Sequence, residues 1–385
     1  MKASRIILSL LISVIFLLSG CWDQNELPVY GFVQAVSIDL SEEDENKLVL
    51  TTQFIKPSPK ISSSGNSSGE AYINVQTEGD STFEAIRDIT NHLGRKAQWS
   101  HTRIILLSEE LVKKRELGEL LEFFYRDHEP RLLMNLAVTQ GRSQDYLNVQ
   151  PFIENTISQQ LKEIERIAQK FSAKTVEATL LTLGTELKSE LKTGTIPYFT
   201  MGTHQHPVVS GISMFQKGKM VDTLSPIESE GLLMLTNRYN SGIIEIPCKT
   251  SDRELIETVE VMGVTSKSKF KLNNNKLSFD ESLTIEASIG ELKCTSLDNS
   301  EALSEFNKIV EKEVKKNLLD TINRLQEDKI DALGIGNDVY RQQPDLWGEI
   351  KDQWPSIFGS ASYTIKVKVN TMNSSSDVGK PFFLE

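Results

Sequence analysis

One apolar run dominates the start of this chain. From Ile6 to Leu18 every position is apolar except Ser9 and Ser13, thirteen residues in all. Lys2 and Arg5 precede the run, and Leu18-Ser19-Gly20-Cys21 closes it. A positive flank, a short apolar stretch and a small-residue site are the parts of a secretory signal peptide. Thirteen residues fall well short of the ~20 that cross a hydrocarbon core, and no other segment approaches that length. Residues 1–20 are therefore expected to be removed. The body beyond them must bury its apolar side chains within itself rather than in a bilayer.

Leu-Ser-Gly-Cys also resembles a bacterial lipobox, in which the thiol takes a diacylglyceryl group before cleavage. Only three cysteines occur, and one sits at the junction of apolar segment and polar body. Cys21 is accordingly the expected lipid attachment site, as an N-palmitoyl and S-diacylglycerol cysteine. Several acyl chains anchor stably where one is marginal, because each buried methylene adds ~0.8 kcal/mol. Without residues 1–20 the body has 40 basic and 53 acidic residues, a net charge of −13. That balance repels nucleic acid and anionic headgroups, so lipid rather than a basic surface is expected to hold the protein at a membrane. The other cysteines, Cys248 and Cys294, lie in apolar, strand-like surroundings. Two separate buried thiols is the reading preferred, with a bridge, permitted in an oxidising compartment, as the alternative.

Some 365 residues suggest two or three domains of ~100–200 residues each. Tyr30–Asp39 and Lys47–Ile55 read as strands joined by an acidic turn, and residues 56–70 as a mobile Pro/Ser/Gly loop. A strand at Ala71–Thr77 precedes a helix that opens with Ser81 and Glu84 in a capping-box pattern. Phe83, Ile86, Ile89 and Leu93 form its apolar side, and Gly94 ends it. Arg103–Leu107 and Leu132–Val138 read as strands on either side of a mostly helical Glu109–Arg126. Apolar positions from Ile157 to Phe171 and from Val176 to Leu191 recur at three- and four-residue spacing, predicting two amphipathic helices. A hairpin turning at Lys217-Gly218-Lys219, a helix after Pro226 and a strand at Ile243–Ile246 follow. Further on, the Leu283–Ile289 and Tyr363–Val369 segments alternate with the period of half-buried strands. The turn before the first of these is Asn273-Asn274-Asn275. Between the two strands, Leu303, Phe306, Val310, Val314, Leu318, Ile322 and Leu325 trace one face of a long helix, about 300–328. Pro344 suits the first position of a short helix that puts Trp347, Ile350 and Trp354 on one packed face. The expected fold class is α+β, three mixed α/β domains with largely antiparallel sheets. They are placed at 21–148 (membrane-proximal), 149–250 and 251–372, before a frayed tail at 373–385.

An ordered set of motifs runs along this path. Cys21-Trp22-Asp23 is followed by Glu26-Leu27 and Ile38-Asp39. Ser100-His101-Thr102-Arg103 comes next, then Phe123-Phe124-Tyr125-Arg126-Asp127 through Pro130-Arg131. Gly211-Ile212-Ser213-Met214-Phe215 leads to Lys219, Leu224-Ser225, Glu228 and Gly231-Leu232-Leu233. Gly334-Ile335-Gly336, Tyr340-Arg341, Pro344 and Leu346-Trp347 close the series. The set resembles the Ger(x)C lipoproteins, the C subunits of bacterial spore germinant receptors. Ala35-Val36-Ser37 replaces the glycines that family often has before Ile-Asp, and Leu333 and Ile335 replace its aromatics, both at packing positions. The resemblance implies a three-domain, non-enzymatic lipoprotein on the outer face of the spore inner membrane. It would act with membrane A and B subunits in a nutrient-sensing receptor, without cofactor. The alternative of another class is an extracytoplasmic solute-binding lipoprotein that captures a small nutrient itself.

Motifs for chemistry are scarce. The chain lacks His-Glu-x-x-His, a phosphate loop and Gly-x-Ser-x-Gly, so no catalysis is expected. His204-Gln205-His206 could present two imidazoles on one strand face, but Gly202 and Pro207 flank it and no carboxylate is near in sequence, so no metal site is expected there. Gly334-Ile335-Gly336 follows a helix and lacks a third glycine, so it reads as a helix C-terminal turn. Arg103, Arg126, Asp127 and Arg131 are the polar residues most embedded in apolar sequence. An internal Arg–Asp pairing at a helix end is the preferred reading. The functional alternative is a patch that grips a carboxylate bidentately.

Overall fold

The computed structural model describes residues 27–56, 71–249, 253–273 and 276–372. Cys21 and the signal peptide, most of the loop at 56–70, Asn274-Asn275 and the tail lie outside these residues. Strands are β1 (Tyr30–Leu40), β2 (Leu48–Ile55), β3 (Tyr72–Gly79), β4 (Lys96–Gln98), β5 (Ile104–Ser108), β6 (Asn135–Thr139), β7 (Thr193–Met201), β8 (Pro207–Gln216), β9 (Lys219–Leu224), β10 (Gly242–Lys249), β11 (Glu254–Asn273), β12 (Lys276–Glu291) and β13 (Ser362–Met372). Helices are α1 (Thr82–Leu93), α2 (Glu109–Lys114), α3 (Leu117–Arg126), α4 (Ser143–Leu147), α5 (Ile157–Phe171), α6 (Leu180–Leu187), α7 (Pro226–Leu235), α8 (Ser300–Glu327), α9 (Ile335–Gln342), α10 (Pro344–Ile350) and α11 (Trp354–Gly359). The fold is α+β, as the sequence pattern implies, and is built on two sheets.

The larger sheet has the order β3-β2-β1-β5-β6-β7-β8-β9, with β4 beside β1. Its flanks are antiparallel, whereas β1, β5, β6 and β7 run parallel. Parallel strands need covering on both faces, which explains why Ile104–Ser108 and Asn135–Thr139 are buried throughout. Ile105, Leu107, Leu136 and Val138 pack with α1, α2, α3 and α6 on one face. Ile104, Leu106 and Ala137 pack with α4 and α5 on the other. Since β1–β9 form one sheet, strands from before and after residue 148 share a core.

The smaller sheet has the order β10-β11-β12-β13, the last pair parallel. Phe306, Val310, Val314, Leu318, Ile322 and Leu325 lay the predicted stripe of α8 against it, in a cluster with Val259, Leu283, Ile285, Ile365 and Val369. Helix α7 starts in a full capping box, Ser225 with Glu228, and Pro226 occupies its first turn. It is buried on all sides from Ser229 to Leu235, which suits a helix clamped between layers. Gly231 permits the closest approach there: a Cβ would lie 2.1 Å from the Thr321 hydroxyl of α8.

Several local expectations need correction. The stripe Val176–Leu191 is not one helix. The Thr179–Thr182 capping box starts α6 at Leu180, Ala178 is held extended by the Leu136 N–H, and Leu191 packs in the other core. Helical spacing there combined contacts to two different places. Glu109–Arg126 is mostly helical, as expected, with a break at Arg115-Glu116, where the Leu117 N–H turns to the Gly218 carbonyl at 2.8 Å. The strand expected from Leu132 begins only at Asn135, leaving Leu132 and Leu133 exposed. Phe83 is half-exposed against Phe123, and Ala85 takes its expected place in the core. Gly334, with φ +80°, caps the start of α9 rather than ending α8. Lys329, with φ +53°, takes the left-handed turn after α8.

The preferred reading of Cys248 and Cys294 is overturned. They form a disulfide with a Cα separation of 6.3 Å. Cys248 lies on edge strand β10 and Cys294 follows β12, on the far side of β11. On β11, Glu257 accepts the N–H groups of Lys293, Cys294 and Thr295, all within 2.9 Å. That cradle fixes the turn so that the second sulfur reaches the first. Cys248, Glu257 and Cys294 also form the one potential metal-ligand group of its kind among the described residues, but bridged sulfurs offer no thiolates and the carboxylate is already occupied.

Candidate functional site

The amino ends of β1, β5 and β6 meet at a cavity of about 640 Å³. Phe32 and Gln34 of β1, Ile55 of β2, the segment Ser100–Arg103 before β5, Arg131, Leu133 and Met134 before β6, and Lys162 of α5 line it. Parallel alignment of three strands brings these distant stretches together, because it places the residues before each strand at one end. Arg103 is fixed through its backbone: its N–H donates to the Gln34 carbonyl at 2.8 Å and its carbonyl accepts from Asn135 at 2.9 Å. Its guanidinium reaches the Gln34 side-chain oxygen and the Thr156 hydroxyl. Burial lowers its pKa, opposed by the Glu154 carboxylate, yet an arginine stays charged at any physiological pH.

Of the four polar residues singled out in the sequence, Arg103 and Arg131 line this cavity and Arg126 and Asp127 do not. The expected Arg126–Asp127 pairing is absent. Arg126 turns back along its helix to Glu122, and Asp127 caps the following turn by accepting the Glu129 N–H at 2.9 Å. The i,i+4 spacing wins because it lets both side chains remain in the helix with normal rotamers. Lys162 was not legible in sequence, where it reads as one of many cations on the polar side of an amphipathic helix. Chemically, three cations and no acid among the lining residues suit an oxyanion. His204 and His206 form no such site. They occupy a turn in which His204 is left-handed, and the His206 ring lies against Phe152, centroids 4.1 Å apart.

One turn along α5 from Lys162, Glu165 is fully buried. Its carboxylate accepts from Asn135 Nδ2 and the Ala178 N–H, both at 3.0 Å. Burial is the dominant influence and lifts its pKa from 4.5 to about 8. A raised carboxyl pKa means that the folded chain binds a proton the unfolded chain has released. Glu165 should thus contribute stability below about pH 4.5 that declines as pH rises toward about 8. Urea melts across that window should show Glu165→Gln flattening this decline. An unchanged pH slope would refute a neutral Glu165.

At the carboxyl end of β1, buried Asp39 accepts the Ser143 N–H and hydroxyl at 2.6 and 2.8 Å and the Gln144 N–H at 3.0 Å. It therefore caps α4 across the sheet. The Ile-Asp pair of the first strand is a structural fastening, and the cavity occupies the opposite end.

A family model described as spore germination protein N-terminal domain matches residues 23–201. Another, described as spore germination B3/GerAC like, C-terminal, matches residues 210–375. The chain is 24% identical to spore germination protein KC of Bacillus subtilis (strain 168), over 90% of this chain and 89% of that one. With spore germination protein A3 of the same strain it shares 26% identity, covering 92% and 93% of the two chains. A crystal structure of the GerBC protein superposes with a TM-score of 0.55 at 19% identity, covering 91% of this chain and all of that one.

Proposed function

Because this chain belongs to the Ger(x)C family of spore germination proteins, we propose that it is a lipid-anchored, non-enzymatic subunit of a germinant receptor, required for the germination response through contact with membrane A and B subunits. The observation that carries this reading is the match of both family domains in order over nearly the whole body, behind an apolar run that ends at Cys21. No described helix is long and apolar enough to cross a membrane; in this reading the lipid on Cys21 is the membrane link. Placement on the outer face of the spore inner membrane belongs to the same proposal. Strand β1 begins nine residues after Cys21, so at ~3.4 Å per residue the first domain stays within ~30 Å of the bilayer.

Affinity capture of the tagged protein from spore membranes, followed by intact mass, tests this reading. The mass should exceed that of residues 21–385 by the acyl groups, and the A and B subunits should be recovered with it. Cys21→Ala should abolish the added mass. An unmodified Cys21 in the membrane-extracted protein would refute anchoring, and absence of both partners would refute receptor membership.

A further inference from the structure

We propose that the cavity at the amino ends of β1, β5 and β6 holds the phosphate of an anionic phospholipid headgroup and seats this end of the larger sheet on the membrane. The inference rests on the anchored placement proposed above and adds a second, specific membrane contact.

Charge is the first observation. Arg103, Arg131 and Lys162 come from three separate parts of the chain and line one cavity whose other lining residues include no carboxylate. Among the described residues no salt bridge occupies any of the three. Among the described residues the Arg103 guanidinium donates to the neutral oxygens of Gln34 and Thr156; Glu154 is the acid whose field reaches it. A half-buried guanidinium bonded to neutral acceptors retains its charge for an outside oxyanion, which it can grip with two parallel bonds.

The rim gives the second observation. Ile55 is 37% exposed and Leu133 is 66% exposed, both lining the cavity, and neighbouring Leu132 is 41% exposed. A small soluble phosphate or carboxylate gains nothing from apolar side chains turned outward around its site. A headgroup does, because the same rim enters the acyl boundary while the cations meet the phosphate.

Position is the third. The cavity is built on the first residues of β1, the strand that the chain enters on its way from Cys21. A tether of about nine residues therefore carries this face, and not the carboxyl end of the sheet, toward the bilayer. The body's charge of −13 reinforces the choice: an anionic surface repels the rest of the molecule and admits only the locally cationic face.

The test uses the chain from Trp22 onward, without the anchor cysteine, since every contact described here lies within residues 27–372. Anchoring and headgroup recognition then fail separately. Co-sedimentation would be measured with phosphatidylcholine vesicles and with vesicles carrying about three-tenths phosphatidylglycerol. The expected result is binding to the anionic vesicles only, weakened about tenfold or more in the double variant Arg131→Gln, Lys162→Gln, at ~1 kcal/mol for each cation. Thermal melts would verify that the double variant remains folded. The control pair Arg126→Gln, Arg341→Gln removes the same charge from positions that are 80% and 71% exposed, outside the cavity, and should bind almost as the parent does. Leu133→Ser should weaken vesicle binding too. Equal loss in the control pair, equal binding to both vesicles, or calorimetric binding of inorganic phosphate without any vesicle recruitment would overturn the proposal.

Discussion

Replacing Trp347 with alanine should cost the fold ~3–5 kcal/mol, the range for deleting a fully buried large aromatic. Trp347 is 3% exposed and meets Trp354 edge-on with centroids 5.2 Å apart. Its indole N–H donates to Glu190 at 2.9 Å, a bond that truncation removes. The pocket around the two indoles cannot collapse easily. Trp354 is held by its own N–H bond to Asp331 at 3.0 Å. Asp331 in turn accepts the N–H groups of Gly334, Ile335 and Gly336 at 2.9, 3.2 and 2.7 Å. Gly336 lies so close beneath that an added Cβ would approach Trp347 to 2.8 Å. Unfolding of the purified protein by heat and by urea should show a markedly lower midpoint. A variant that melts as the parent does, yet fails to support germination, would instead make Trp347 a surface anchor for a partner, and would contradict the burial described here.

Loss of the Cys248–Cys294 bridge should destabilise the smaller sheet by ~2–4 kcal/mol, because the cross-link closes a long loop in the unfolded chain. The two residues are 46 apart in sequence. Cys248→Ser and Cys294→Ser should each reproduce the effect of reductant on the parent, and reductant should not shift either variant further. The folded variants should persist, since Glu257 still gathers the turn at Lys293–Thr295. Thiol labelling of the unreduced, denatured chain from Trp22 should find no free cysteine. Two labelled thiols would refute the bridge. Such a cross-link suits an oxidising compartment, in keeping with the export proposed above.

Much of the fold was legible in sequence, wherever the governing interactions are local. Ser81, Ser225 with Glu228, and Pro344 mark helix starts because a cap acts within one turn. Alternation in Leu283–Ile289 and Tyr363–Val369 names the buried face of two strands, and the stripe from Phe306 to Leu325 names that of α8. The apolar run and the ordered motifs pointed to the family. Most of what failed were inferences that needed a partner far along the chain. Phe83 has the right spacing for the core, yet the packing of α3 leaves it half-exposed. Arg126 and Asp127 failed for a local reason: Glu122 and the Glu129 N–H, four and two residues away, take them in place of each other.

By itself, then, the sequence determined the class of fold, the start of most helices, the inward side of the regular elements and the kind of protein this is. Periodicity and capping depend on residues within about four positions of one another, so one strand of text contains them. Only the tertiary structure decided that Cys248 meets Cys294, that Asp39 caps a helix 104 residues away, and that Arg103, Arg131 and Lys162 surround one cavity. The first depends on the antiparallel order β10-β11-β12, the cavity on the parallel alignment of β1, β5 and β6. Strand order is set by the collective burial of both faces of the sheet, a sum over the whole chain that no local pattern encodes.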